Sequence, residues 1–201
     1  MKGLKKIIRQ FPRTGNSFFS LILVSLMLCA NAAPGADVNF GAEVKKAKLS
    51  LQGDYYALSA EMAYQLSKPA KEALINGVPL FWDIQIKVLQ QRPFLWKKTL
   101  LKKTIRYRIQ YHALLNMFRV RNESTGTVDN FSTLSAALDL ISVLHNVRII
   151  DKQALDSKRS YQAGIRIVFD REALPLPLRP LAYLTSQWYL SSDWYLWPLT
   201  K

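Results

Sequence analysis

The sequence predicts one α+β domain, mostly antiparallel β-sheet in a sandwich-like arrangement, with one main helix and one or two short helices. Three observations predict it. Apolar and polar residues alternate strictly in segment after segment, the pattern of strands with one wet face. Short turns join neighbouring segments, so the strands should pair antiparallel. One segment alone, residues 131–147, sustains a helical period over several turns.

The domain follows a secretory signal. Lys2, Lys5, Lys6, Arg9 and Arg13 stand without an acid, "FFSLILVSLML" (18–28) is apolar apart from two serines, and "CANAAPGA" supplies small residues. This is the basic, apolar, small-residue plan of an exported chain. Ala30-Asn31-Ala32 fits the cleavage rule, so residues 1–32 are assigned to a signal peptide and 33–201 to a single domain. Two alternatives stand beside this reading: an uncleaved inner-membrane anchor, and lipidation of Cys29. The apolar run is shorter than the roughly 20 residues of a spanning helix, and Leu28 is large for the position before a lipidated cysteine. Cleavage removes the only cysteine, so the mature domain rests on its hydrophobic core rather than on disulfides. Of 28 cations and 14 acids it removes five cations and no acid, leaving a net charge of +9. A basic protein outside the cytosol is not expected to meet nucleic acid.

Residues 49–66 read as a hairpin. Leu49 and Leu51 alternate up to a Gln52-Gly53-Asp54 turn, and Tyr56, Leu58, Ala60, Met62, Tyr64 and Leu66 keep period two after it. A short helix follows, with Ser67 as cap, Pro69 in the first turn and Gly77 as left-handed stop. Val78 to Val88 alternate as a second wet-faced strand. In "KKTLLKKTIRYRIQYH" (97–112), odd positions are largely apolar or aromatic and even positions largely basic, again a strand. A loop near Leu114–Asn116 leads to "FRVR" (118–121), and "NESTGTVDN" (122–130) reads as a polar loop. "FSTLSAALDLISVLHNV" (131–147) is the main helix, on the spacing of Leu134, Leu138, Ile141 and Leu144. Residues 161–169 form a further strand. "LPLPLRPL" is too proline-rich for regular helix or central strand, and a short helix is expected at Leu181–Gln187.

Familiar catalytic signatures are absent: no G-x-S-x-G, H-E-x-x-H, glycine-rich phosphate loop or S-x-x-K. The acids form no D-x-D or E-x-x-E pair, and neither a metal nor another cofactor is expected. The charge pattern is more informative. Alternate residues of a strand lie about 6.6 Å apart on one face, so Lys98, Lys102, Arg106 and Arg108 are expected to form a basic row, joined by Arg119 and Arg121 if the next strand pairs in register. Such a face suits an anionic partner, whether membrane surface, envelope glycan or envelope protein; it equally suits a solvated sheet face. Trp188, Trp194 and Trp197 are a candidate aromatic interface. On a straight strand Trp188 and Trp194 would share one side and Trp197 the other.

A cleavable signal, then "NGVPL" (76–80), "LPLPLRP" (174–180) and "WYLSSDWYLW" (188–197), in this order, resembles the exported bacterial proteins grouped as domain of unknown function 4390, some of them labelled proline-rich signal-peptide proteins. The resemblance spans about residues 38–198. It implies an exported, periplasmic protein with no established catalytic residues and, through gene neighbourhood alone, an association with a sensor kinase. The reading is a non-enzymatic periplasmic binding or envelope-accessory domain. The alternative is a hydrolase of cell-wall or exopolysaccharide material, its two acids brought together by the fold.

Overall fold

The computed structural model describes residues 40–93 and 95–199. The expected signal peptide, residues 1–32, lies outside the described residues, as do 33–39. In chain order the described elements are β1 (Gly41–Gln52), β2 (Tyr55–Gln65), α1 (Lys68–Ile75), β3 (Leu80–Gln90), β4 (Lys98–His112), β5 (Met117–Asn122), β6 (Val128–Phe131), α2 (Leu134–Ser142), β7 (Val143–Asp151), β8 (Tyr161–Phe169), α3 (Arg179–Leu184) and β9 (Tyr195–Pro198). They build two antiparallel sheets: three strands in the order β1-β2-β7, and six in the order β6-β5-β4-β3-β8-β9.

Period two decides which side of each strand is buried. In β3, Leu80, Trp82, Ile84, Ile86 and Val88 are buried while Phe81, Asp83, Gln85 and Lys87 point away. Register carries this phase across the sheet: Ile84 sits opposite Ile105 of β4 and Ile167 of β8. The small sheet contributes Leu58, Ala60 and Met62 from β2, and both sheets feed one core. Each fully buried Leu, Ile or Val contributes roughly 1.5–3 kcal/mol. The face of the six-stranded sheet away from this core carries the polar residues of β3, β4, β5 and β8, and it is where the charges collect.

The hairpin turn works because Gly53 has φ of 60°, a left-handed value that favours glycine. In α1, the Ser67 hydroxyl accepts the Ala70 N–H at 3.4 Å and Gly77 follows at φ 85°, as the capping pattern predicts. The main helix is shorter than expected. Thr133 caps it by accepting the Ala136 N–H at 3.2 Å, but it ends at Ser142, and residues 143–151 are strand β7. Val143, Val147, Ile149 and Ile150 are β-branched and favour extended backbone. The open edge of β2 supplies partners, pairing Val143 with Glu61 and Leu144 with Ala60. Leu144 is buried in either reading, so the helical period could not detect the switch.

Two further corrections concern short elements. The expected polar loop 122–130 contains most of β6, which pairs Val128 with Arg121 and Asp129 with Val120. The expected helix at 181–187 is α3 at Arg179–Leu184, with Pro180 in its first turn, then a 3₁₀ turn at Ser186–Trp188.

Candidate anionic-partner face

The outer face of the six-stranded sheet holds two groups of cations, and they differ in how they are neutralised. The first group belongs to the arginines of the predicted row. Arg106 donates to Asp83 on β3 at 3.1 Å and also to Asp170, just past β8. Its guanidinium lies 4.8 Å from the Phe81 ring centroid. Arg108 and Arg121 face each other across the β4–β5 ladder and share Glu123, at 3.1 and 3.3 Å. Arg119 donates to Asn130 Oδ1 at 3.1 Å. These arginines staple strands together; carboxylates answer Arg106, Arg108 and Arg121, while Arg119 has only the amide oxygen of Asn130.

The Asp83–Arg106–Asp170 triplet has its own electrostatics. Burial holds the Asp83 carboxyl above the usual carboxylate range; Arg106 pulls it down and neighbouring Asp170 pushes it up. Loss of water lowers the Arg106 affinity for its proton, but bonds to two carboxylates outweigh this and raise it. The guanidinium, with two carboxylates, is thus held more firmly charged than usual, while burial and Asp170 keep the Asp83 carboxyl above its ordinary range despite Arg106.

The second group lacks carboxylate partners. Lys87 of β3 lies opposite Lys102 of β4 on one side and Gly164 of β8 on the other. Lys87 Nζ sits 3.5 Å from the Trp194 ring centroid, and the Arg166 guanidinium sits 4.7 Å from it. Arg166 donates to Gln85 Oε1 at 2.9 Å, and Lys97 donates to Gln162 Oε1 at 2.8 Å. Among the described residues no ion pair reaches Lys87, Lys97, Lys102 or Arg166. The Lys87 ammonium is held below the ordinary lysine range, first by lost water, then by the charges of Arg166, Lys97 and Lys102. Like charges opposed across strands are unfavourable unless something anionic lies between them. A depression of about 490 Å³ opens here, lined by Lys87, Lys102, Arg166 and Trp194 with Thr99 and Thr104.

The segment "WYLSSDWYLW" builds one wall of this site. Trp188 and Leu190 are buried, at 4% and 1% exposure, and the Leu190 carbonyl accepts the Trp82 indole N–H at 3.3 Å. The Ser192 and Ser191 hydroxyls then accept the Ile167 and Phe169 N–H groups, each at 2.9 Å, and so satisfy the edge of β8. The chain next lays Trp194 across Gly164. A Cβ on Gly164 would lie 2.5 Å from Leu196 Cδ2 and 3.3 Å from the Trp194 ring, so glycine gives the indole its room.

The candidate residues thus separate. Lys102, Arg106, Arg108, Arg119 and Arg121 share the outer face through register. Lys98 does not. Val88 pairs with Leu101 but Leu89 with Thr99, so Leu100 is an extra residue; Lys98 then faces Gln90, in the opposite phase. The three tryptophans do not form one interface. Trp188 is core, stacked on Phe169 at 6.1 Å; Trp194 lies on the outer face; Trp197 is half-buried against the core. Lys87, Arg166 and Lys97 were missed as site residues. Lys87 and Arg166 do occupy polar positions in alternating strands, but only the order β4-β3-β8 makes them neighbours.

Among the described residues no group of three or more His, Cys, Asp or Glu could hold a metal ion, and no helix is long and apolar enough to cross a membrane. No curated protein and no solved structure matches the chain significantly. A family described as "Domain of unknown function (DUF4390)" matches residues 40–198, from the residue before β1 to the end of β9. That span takes in both sheets and the cationic face, and the chain belongs to this family of domains of unknown function.

Proposed function

We propose that the protein is an exported, non-enzymatic binding domain of the bacterial envelope, and that the outer face of its six-stranded sheet takes an anionic partner. One observation carries the reading: Lys87 and Arg166 lie over the Trp194 ring, Lys102 lies opposite Lys87 and the charge of Lys97 bears on it, and no carboxylate pairs with any of the four among the described residues. Ammonium and guanidinium donors bordered by threonine hydroxyls suit phosphate, sulfate or carboxylate groups. Export follows from the signal-like residues 1–32, and the uncleaved anchor remains its alternative. The hydrolase reading finds less support. The close acids Asp83 and Asp170 are held by one guanidinium, and five depressions among the described residues each have at most one carboxylate in their lining.

The test is retention on immobilised polyphosphate along a salt gradient. The triple variant Lys87→Gln/Lys102→Gln/Arg166→Gln is expected to elute at clearly lower salt than wild type. A control, Lys46→Gln/Lys48→Gln/Lys71→Gln, removes the same charge from exposed sites elsewhere and should move elution much less. Equal shifts in the two triple variants would mean that net charge, not this face, binds the polymer.

A further inference from the structure

The β3–β4 connection, residues 91–97, ends the sheet beside the cation cluster. Trp96 is 93% exposed and Leu95 is 64% exposed. Arg92, Lys97 and Lys98 flank them, all exposed. Lys97 reaches back onto the outer face, donating to Gln162, and its charge bears on Lys87. Tip and face are therefore one continuous corner. From Lys87 to the end of β3 is three residues, about 10 Å. An indole and a leucine set in water amid cations, on a hairpin tip rather than in a groove, have the composition of a membrane-interface contact.

We infer that this corner docks on an anionic lipid bilayer: Trp96 and Leu95 enter the headgroup–acyl boundary while Lys87, Lys97, Lys102 and Arg166 meet lipid phosphates. The inference rests on the anionic-partner reading above and names that partner as a lipid surface. Charge complementarity selects it, since the cations bordering the tip have no ion-pair partner among the described residues. Neither half suffices. A cation near an anionic surface contributes about a fivefold gain in partitioning, and a lone apolar tip gives only weak, reversible attachment.

The experiment uses the chain from Ala33 onward, because among the described residues the core and the side chains packed on it run from Phe40 to Leu199, and the apolar segment 18–28 would itself bind lipid. It is mixed with vesicles of phosphatidylcholine, with vesicles of phosphatidylcholine plus phosphatidylglycerol, and with soluble polyphosphate, at low and high salt. Sedimentation and tryptophan emission are read. Wild type should sediment with the anionic vesicles only, lose binding in high salt and shift its emission to the blue. Trp96→Ala should abolish the shift and weaken binding about tenfold. Lys87→Gln/Lys102→Gln/Arg166→Gln should weaken it about a hundredfold. An unchanged urea midpoint for Trp96→Ala shows that the exposed tip, not the fold, was altered. Polyphosphate binding without vesicle binding overturns the lipid inference and leaves the anionic-partner reading standing. Vesicle binding untouched by Leu95→Ala/Trp96→Ala overturns insertion of the tip. Binding to neither overturns both.

Discussion

Trp82→Ala is expected to cost about 3–5 kcal/mol of stability, the largest single-residue loss among the tryptophans. Trp82 is 1% exposed and lies in the centre of the six-stranded sheet. Its ring meets Tyr64 edge-on at 5.9 Å and Phe169 at 5.3 Å, so it joins the small sheet to the large one. Its N–H also holds the Leu190 carbonyl, which anchors the segment leading to Trp194. Truncation removes ring contacts from both sheets and leaves a buried carbonyl unpaired, which adds to the cavity cost. Trp82→Phe keeps most of the volume and loses the hydrogen bond, for about 1–2 kcal/mol. Urea unfolding of both variants, with Trp96→Ala as an exposed-site control within about 0.5 kcal/mol, checks the ranking. A Trp82→Ala loss below about 1 kcal/mol would contradict the packing described here.

Much of the fold was legible because burial on one side of a strand imposes period two, and that signature survives wherever the other side is wet. The strands at 55–65, 80–90, 98–112 and 161–169 all carried it. β7 and β6 were illegible for different reasons. The spacing of Leu134, Leu138, Ile141 and Leu144 extends a true helix into a strand, because Leu144 is buried in both conformations and only the open edge of β2 decides between them. In β6 the four residues Val128 to Phe131 are too few to show alternation, and β6 is strand because β5 offers it a partner.

The site was half legible. Residues spaced by two on one strand reveal a shared side, and Lys102, Arg106 and Arg108 do share it. Alternation says nothing about acids on other strands, so the answering charges of Asp83, Asp170 and Glu123 were invisible. The extra residue Leu100 reversed the phase of Lys98, and a bulge leaves no local mark in a basic, β-branched run. The cations gathered near Trp194 without carboxylates come from three strands and one turn. Their meeting depends on strand order, which pairwise periodicity does not encode.

The split between stapling arginines and cations without carboxylates makes a prediction that separates charge the fold needs from charge it does not. Arg106→Gln should destabilise the domain by about 2 kcal/mol at neutral pH, between a surface pair and the 3–5 kcal/mol of a broken buried pair, because all three side chains retain some solvent and screening. The variant leaves Asp83 and Asp170 side by side without their common cation. In wild type the Asp83 carboxyl already titrates above its ordinary 3.8, burial being the largest cause. Removing Arg106 deletes the two influences that lower it, so the shift grows. A carboxyl with a raised folded-state pKa holds its proton more tightly when folded. That stability is fully present below the unfolded pKa and is lost as pH rises through the folded one. The deficit of Arg106→Gln should therefore be widest near neutrality and shrink as pH falls toward about 4.5. Adding Asp83→Asn to the variant should recover part of the loss at neutral pH, since it removes one of two facing charges without changing shape. Unfolding free energies at both pH values decide the matter, and a gap that widens on acidification would show that Arg106 does not serve to neutralise this pair. Lys87→Gln/Lys102→Gln/Arg166→Gln, by contrast, should leave stability at neutral pH equal to or above wild type, because it relieves repulsion among cations that no carboxylate answers. A stability that holds or rises in the triple variant, beside a loss in Arg106→Gln, would show that the fold does not need the cations around Trp194, which is what the proposed anionic-partner reading requires of them.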